Sequence, residues 1–136
     1  MYVGIDMSRA ARWERLLNRF PAQREKIFTA EEIAHCERRG RQRAASYAAL
    51  WAVREAAGKA LGTGILGAGW QAASVTWSDA GAPRLMLHGI FAERAKALGI
   101  TEWAVSITHE AGLSAAVVVM QGGNDDTGDS RRIKTD

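Results

Sequence analysis

RQRAASYAALWAVREAAGKALGTG, residues 41–64, has the composition of one long helix with a stop at its end. The run lacks proline, is rich in Ala and Leu, and closes on Gly62-Thr63-Gly64, where glycine supplies the positive φ that ends a helix. It predicts a helix over residues 41–61, the longest in the chain. Between Ala44 and Leu61 only Arg54, Glu55 and Lys59 are charged. Glu55 and Lys59 stand one turn apart on one face, and an exposed ion pair worth about 0.3–0.5 kcal/mol would satisfy that spacing. Against so bland an account stand Ala48, Trp51 and Ala52, which fill the preceding turn of the same side, where a solvated helix would carry more charge. A half-buried acid and amine on such a stripe need partners, such as a metal for the carboxylate and a phosphate for the amine.

Upstream, residues 2–6 read as a short strand, after which Asp6 or Ser8 can cap a helix running to about Phe20, before Pro21. Trp13, Leu16, Leu17 and Phe20 make its apolar stripe, and Arg12, Arg15 and Arg19 the opposite one. Thr29, three residues before Glu32, forms a capping box that opens a second helix. Downstream, residues 73–78 and 84–87 predict a hairpin about Asp79-Ala80-Gly81-Ala82-Pro83, and residues 92–98 a short helix stopped by Gly99. Residues 103–109 alternate in polarity and connect through Glu110-Ala111-Gly112 to residues 113–120. That last strand is apolar on both faces, which predicts a central strand of a covered sheet with the long helix as its cover. The fold class is α+β, a small antiparallel sheet packed against a long helix. Residues 1–121 form one domain; residues 122–136, nearly free of apolar side chains, are expected to be a disordered tail.

At 136 residues the chain is sized for a single core, and 47% apolar with 24% charged residues is the composition of a soluble globular domain. No apolar run reaches the roughly 18 residues of a membrane helix, and the N-terminus enters its strand without a basic-then-apolar leader, so a cytoplasmic location is expected. The single cysteine, Cys36, excludes an intramolecular disulfide and a cysteine-rich zinc site, and is expected to be a small filler. An excess of 18 Lys+Arg over 15 Asp+Glu does not by itself argue for nucleic acid.

Three further positions could carry chemistry. Asp6 ends the first strand, where it is either an N-cap or a functional acid. His109 falls in phase with Trp103, Val105 and Ile107 and is expected at the edge of the core, either as hydrogen-bonded filler or as part of a site. Gly62-Thr63-Gly64 is a stop signal that could also lie along a ligand.

Taken in order, Gly4-Ile5-Asp6, then Trp51 to Gly64, then Val105-Ser106-Ile107-Thr108-His109 resemble the holo-acyl carrier protein synthase family across about residues 2–120. Arg24 to Thr29 and Gly81-Ala82-Pro83-Arg84-Leu85 resemble it as well. The resemblance implies a transferase that moves the phosphopantetheine arm of coenzyme A onto a serine of an acyl carrier protein or carrier domain, releasing 3',5'-ADP. It implies Asp6 and Glu55 as ligands of Mg²⁺, and Lys59 facing the coenzyme pyrophosphate, with Arg54, Gly62, Thr63, Gly64 and His109 also on the coenzyme. Glu55, Lys59 and His109 are then the catalytic set. For the serine proton it leaves three acceptors open: Glu55, His109, or a water on the metal held by Asp6. The metal's water or Glu55 is favoured, with His109 orienting the site. Arg12, with Arg15 and Arg19, would dock the acidic carrier. A homotrimer with sites at subunit boundaries is expected, in which Asp6, Glu55 and Lys59 meet His109 or coenzyme contacts supplied by a neighbouring subunit. Two departures stand out: Arg54 replaces the family's usual Lys, which puts its phosphate contact in question, and Gly58 sits inside a helix, which implies close approach of ligand or chain.

Two other classes compete. A small basic binding module without catalytic activity, directed at nucleic acid, would interleave aromatic and basic residues, whereas Trp13 and Phe20 are expected opposite the arginines. A chain with the fold but no activity would be a structural partner in a larger synthase.

Overall fold

In the computed structural model, which describes residues 1–65 and 67–122, strands and helices follow the order β1 (Tyr2–Arg9), α1 (Ala10–Arg19), α2 (Arg24–Ile27), α3 (Ala30–Glu37), α4 (Arg43–Leu61), β2 (Ala73–Trp77), β3 (Pro83–Leu87), α5 (Gly89–Ala97), β4 (Glu102–Glu110) and β5 (Leu113–Gln121). β1, β5 and β4 form an antiparallel sheet in that order, while β2 and β3 pair separately. The strand that is apolar on both faces is central, as expected. Register puts Asp6 beside Ala116 and Ala116 beside Ile107, and likewise Ser8 beside Ser114 and Ser114 beside His109.

α4 packs on β1 and β5 through Ala48, Ala52, Ala56 and Ala60, all 0% exposed. Alanine every fourth residue makes a smooth ridge, so helix and sheet backbones approach closely. The approach is closest at Gly4, where a Cβ would stand 1.9 Å from the Ala56 carbonyl oxygen. Gly58 has a similar cause. A Cβ there would meet the backbone of Gly64 at 2.9 Å, so the close approach foreseen at Gly58 is that of the chain turning back on its own helix.

The capping box forms: Thr29 Oγ1 accepts from the Glu32 N–H (3.1 Å) and Glu32 Oε1 accepts from the Thr29 N–H (2.8 Å). Cys36 is a buried free thiol, pushed up to about 12 by burial and by the neighbouring Glu32 and Glu37. Among the described residues, no helix is long and apolar enough to cross a membrane.

Several expectations need correction. β1 runs to Arg9 because β5 pairs with it that far, so Asp6 lies within the strand and caps nothing. Nor does Ser8 cap α1, since its hydroxyl accepts from Trp13 Nε1 and the N-cap is Arg9, with no side-chain bond. Phe20 falls after the last turn of α1, is 47% exposed and sits under the Arg19 guanidinium at 5.4 Å. Aromatic and basic residues therefore separate at Trp13 but not at Phe20. α5 begins at Gly89, three residues early. The sheet is covered on one face only, since Ile5 (47% exposed) and Met7 (56%) lie on the side away from α4. Apart from Gly122, the tail foreseen at 122–136 lies outside the described residues.

Candidate active site

Along α4 from Ser46 to Leu61, only Trp51, Glu55 and Lys59 are less than fully buried. Their spacing of four makes one open stripe in an otherwise enclosed helix. Asp6 projects toward α4 from β1, between Gly4 and Ser8, which the same pleat turns inward. Lys59 Nζ donates to the Ile5 carbonyl (3.1 Å) and to Asp6 Oδ1 (3.4 Å), with the Lys59 and Asp6 side chains 31% and 20% exposed. Burial holds the Glu55 carboxyl above the usual carboxylate range, the negative charge of Asp6 adds to the rise, and Lys59 and Arg12 oppose it. Asp6, Glu55, Lys59 and Arg12 thus share one electrostatic neighbourhood, joined across β1, α1 and α4.

Glu55, whose ionisation the charge of Asp6 opposes, makes with Asp6 a hard-oxygen donor pair suited to a divalent cation. The fit is to Mg²⁺, which takes one or two carboxylates and completes its octahedron with waters and phosphate oxygens. Among the described residues, no group of three or more His, Cys, Asp or Glu stands together. The pair would therefore need oxygens from a substrate.

His109 is elsewhere. Ser114 Oγ donates to the Ala45 carbonyl (2.8 Å), so the His109 Nδ1 lying 2.8 Å from that oxygen must be the donor. This fixes the tautomer and leaves Nε2 as the acceptor. Burial, and then the charge of Arg39, lower the His109 pKa. Ala45 and Glu55 are ten residues apart, or about 15 Å of helical rise. One chain therefore does not bring His109 to Glu55 and Lys59. It lines a separate cleft with His35, Arg39, Ser46, Trp77 and Pro83, where the His35 and Trp77 rings stack at 3.8 Å and 11°. Burial and the same Arg39 lower His35 too, with Arg38 assisting. Sequence reasoning missed His35, Arg39 and Trp77. The run Arg38-Arg39-Gly40-Arg41 signalled charge, but only the tertiary fold sets it against the β2–β3 hairpin.

Arg54 requires the firmest correction. It is 0% exposed, and each of its five N–H groups is engaged inside the protein, on the Glu32 carboxylate and on the carbonyls of Ile27, Leu50 and Trp70. No donor is left for a coenzyme phosphate. The reason is its phase on α4: one position before Glu55, it turns about 100° away from the open stripe into the α3 layer.

Gly62 is the C-cap of α4 at φ 75°, its N–H donates to Lys59 O, and the N–H groups of Thr63 and Gly64 both donate to Gly58 O. Helix capping occupies these three donors. What the loop can offer a ligand is the exposed Thr63 side chain and the open glycine faces. Arg12, Arg15 and Arg19 are exposed along α1 and border a depression with Leu16, Asn18 and Phe20.

Residues 2–111 match the 4'-phosphopantetheinyl transferase superfamily. The chain belongs to that superfamily. Among its relatives, a holo-[acyl-carrier-protein] synthase of Streptomyces avermitilis is 42% identical over 122 residues, covering 88% of this chain and 96% of that protein. One of Moorella thermoacetica is 38% identical over 118 residues, covering 87% and 91%. In structure, the Helicobacter pylori synthase in complex with coenzyme A superposes with a TM-score of 0.75 at 30% identity, over 88% of this chain and 99% of that one. The Neisseria meningitidis synthase gives 0.77 at 27% identity, over 88% and 97%.

Proposed function

We infer that this protein transfers the 4'-phosphopantetheine arm of coenzyme A to a serine hydroxyl of an apo acyl carrier protein, free-standing or a synthase domain, releasing 3',5'-ADP. The observation that carries the reading is the meeting of Asp6, Glu55 and Lys59 on a scaffold shared with synthases of that name. Asp6 and Glu55 would hold Mg²⁺. When bound, the ion supplies charge neutralisation at the pyrophosphate, where the barrier to displacement is mainly electrostatic. Lys59 places an ammonium beside the same phosphates, held at the correct height by the Ile5 carbonyl and Asp6. The serine proton passes to a group at this edge of the site, Glu55 or a water held there.

His109 enters from a neighbouring subunit in this reading. Support comes from its distance along α4 from Glu55 and from the uncovered sheet face carrying Ile5 and Met7. A homotrimer that buries this face joins the His109 cleft of one subunit to the Asp6, Glu55 and Lys59 cluster of the next. The nucleotide end of coenzyme A then lies against His109 and Arg39 and its pyrophosphate against Lys59. Arg12, Arg15 and Arg19 steer the acidic carrier to the same edge. A domain ending near residue 121 and a cytoplasmic location go with this reading.

Incubation with coenzyme A, Mg²⁺ and an apo carrier, followed by intact-mass spectrometry, tests it. Addition of the arm to the carrier is expected; an unmodified carrier under turnover conditions overturns it and favours a binding module or an inactive structural partner.

A further inference from the structure

From Leu113 to Met120, β5 is apolar except for Ser114, which is 0% exposed. Stability does not call for a hydroxyl there. It donates to the Ala45 carbonyl (2.8 Å), which as part of α4 already accepts an N–H from the next turn, so an alanine at 114 would leave no buried acceptor unpaired. What the hydroxyl changes is the imidazole opposite it in the β4–β5 ladder, that of His109.

With its only proton on Ala45 O, Ser114 offers His109 a lone pair, and the 2.8 Å contact is made by Nδ1–H. Nε2 is then bare in the neutral ring. A free imidazole can carry its proton on either nitrogen, whereas neutral His109 can protonate Nε2 only by giving up the Ser114 bond. The cleft that His109 lines with Arg39, from the α3–α4 connection, and His35, from α3, has no carboxylate among its described residues and so suits an anion. Toward α1, His109 borders a second depression with Arg41, Glu14 and its own neighbour Glu110. Burial and Arg39 lower the His109 pKa, which leaves the unliganded ring mostly neutral at pH 7.

We propose that Ser114 is a positioning residue for coenzyme A: by holding His109 in the Nδ1–H form, it lets Nε2 bind a coenzyme phosphate only after the ring takes a proton from solvent. The inference rests on the reading that the nucleotide end of coenzyme A lies against His109. It gives that contact its character, a charge-assisted hydrogen bond from an imidazolium.

Two measurements test this. Nitrogen NMR of the imidazole rings in unliganded wild type, above their titration, should show His109 protonated on Nδ1; this needs no variant. Calorimetric titration of 3',5'-ADP without Mg²⁺, at acidic and at mildly alkaline pH, then compares wild type with Ser114→Ala. The two should bind alike while the ring is protonated. Above its titration Ser114→Ala should bind roughly 10-fold tighter, the worth of the hydrogen bond that wild type must break to turn Nε2 into a donor. The ligand's phosphates and His35 titrate in both proteins and cancel in the ratio. A serine that merely supports the fold would give no such gain. An alanine variant that binds no tighter at alkaline pH overturns the inference, and so does a neutral wild-type ring protonated on Nε2. Wild type that binds no 3',5'-ADP at any pH would instead remove the reading of this cleft as a nucleotide site, and the inference with it.

Discussion

Lys59 on α4 and Asp6 on β1 meet at 3.4 Å, although 53 residues separate them in sequence, and the Ile5 carbonyl takes the same ammonium at 3.1 Å. The contact exists because the alanine ridge of α4 can lie against Gly4. It gives the helix–sheet junction a chemical use: an acid, an amine and the half-buried Glu55 converge where two backbones almost touch.

Glu55→Gln should abolish transfer, by about 100-fold or more, since losing even a residue that supports a metal ligand costs 10–100-fold. The fold should survive, because volume is kept. The sign of the stability change follows from the raised pKa of Glu55. Its contribution is fully present below the ordinary unfolded carboxyl value and is lost as pH rises through the higher folded value. With a chelator present, Glu55→Gln should therefore melt no earlier than wild type at neutral pH and gain relative to it between acidic and neutral pH. Thermal melts across that range check this, and a large loss at neutral pH would contradict it. Protons and Mg²⁺ compete for the carboxylate, so the Mg²⁺ concentration needed for half-maximal rate should rise as pH falls toward that pKa.

Arg15→Ala combined with Arg19→Ala should raise KM for carrier roughly 10-fold and leave coenzyme affinity unchanged, with an effect that shrinks as salt increases. Arg12→Ala should do the same and in addition raise the Glu55 pKa, because Arg12 is one of the two charges that lower it. Its acidic limb in a pH–rate profile should move to higher pH. Identical profiles for the two variants would remove Arg12 from the electrostatics of the site.

Gly4→Ala should destabilise the protein by about 3 kcal/mol, the upper range of overpacking, because the added methyl would stand 1.9 Å from backbone that cannot rotate away. Urea unfolding measures this, and a loss below about 1 kcal/mol would mean the helix–sheet spacing is less tight than described.

Mixing Glu55→Gln with His109→Ala subunits, each inactive alone, should restore part of the wild-type rate, since some intersubunit sites would then carry both intact residues. Charge placed at Met7 or Ile5, on the uncovered sheet face, should dissociate the assembly in sedimentation and lower activity with it. Failure of the mixture to recover activity while mixed assemblies form would place His109 outside the neighbour's site.

Local physics made much of the fold legible in the sequence. α4 showed in its composition and glycine stop, the β4–β5 and β2–β3 hairpins in alternation and turn residues, and α3 in its capping box. Glu55 and Lys59 were legible because two charges on an apolar helix are conspicuous. Asp6 was misplaced at a strand end because local capping chemistry competed with pairing to β5, more than a hundred residues away. Arg54 looked like a phosphate ligand because nothing nearby in sequence reveals Glu32, 22 residues upstream, as its partner. His109 could be assigned to a face by its alternation, but not to an end of α4, and that end separates it from Glu55 within one chain.

The most direct test follows the carrier by intact mass with coenzyme A in saturating excess, comparing wild type with Mg²⁺, wild type in chelator, and Glu55→Gln with Mg²⁺. The phosphopantetheine arm should appear on the carrier in the first sample alone. Equal modification in all three would contradict a cation held between Asp6 and Glu55.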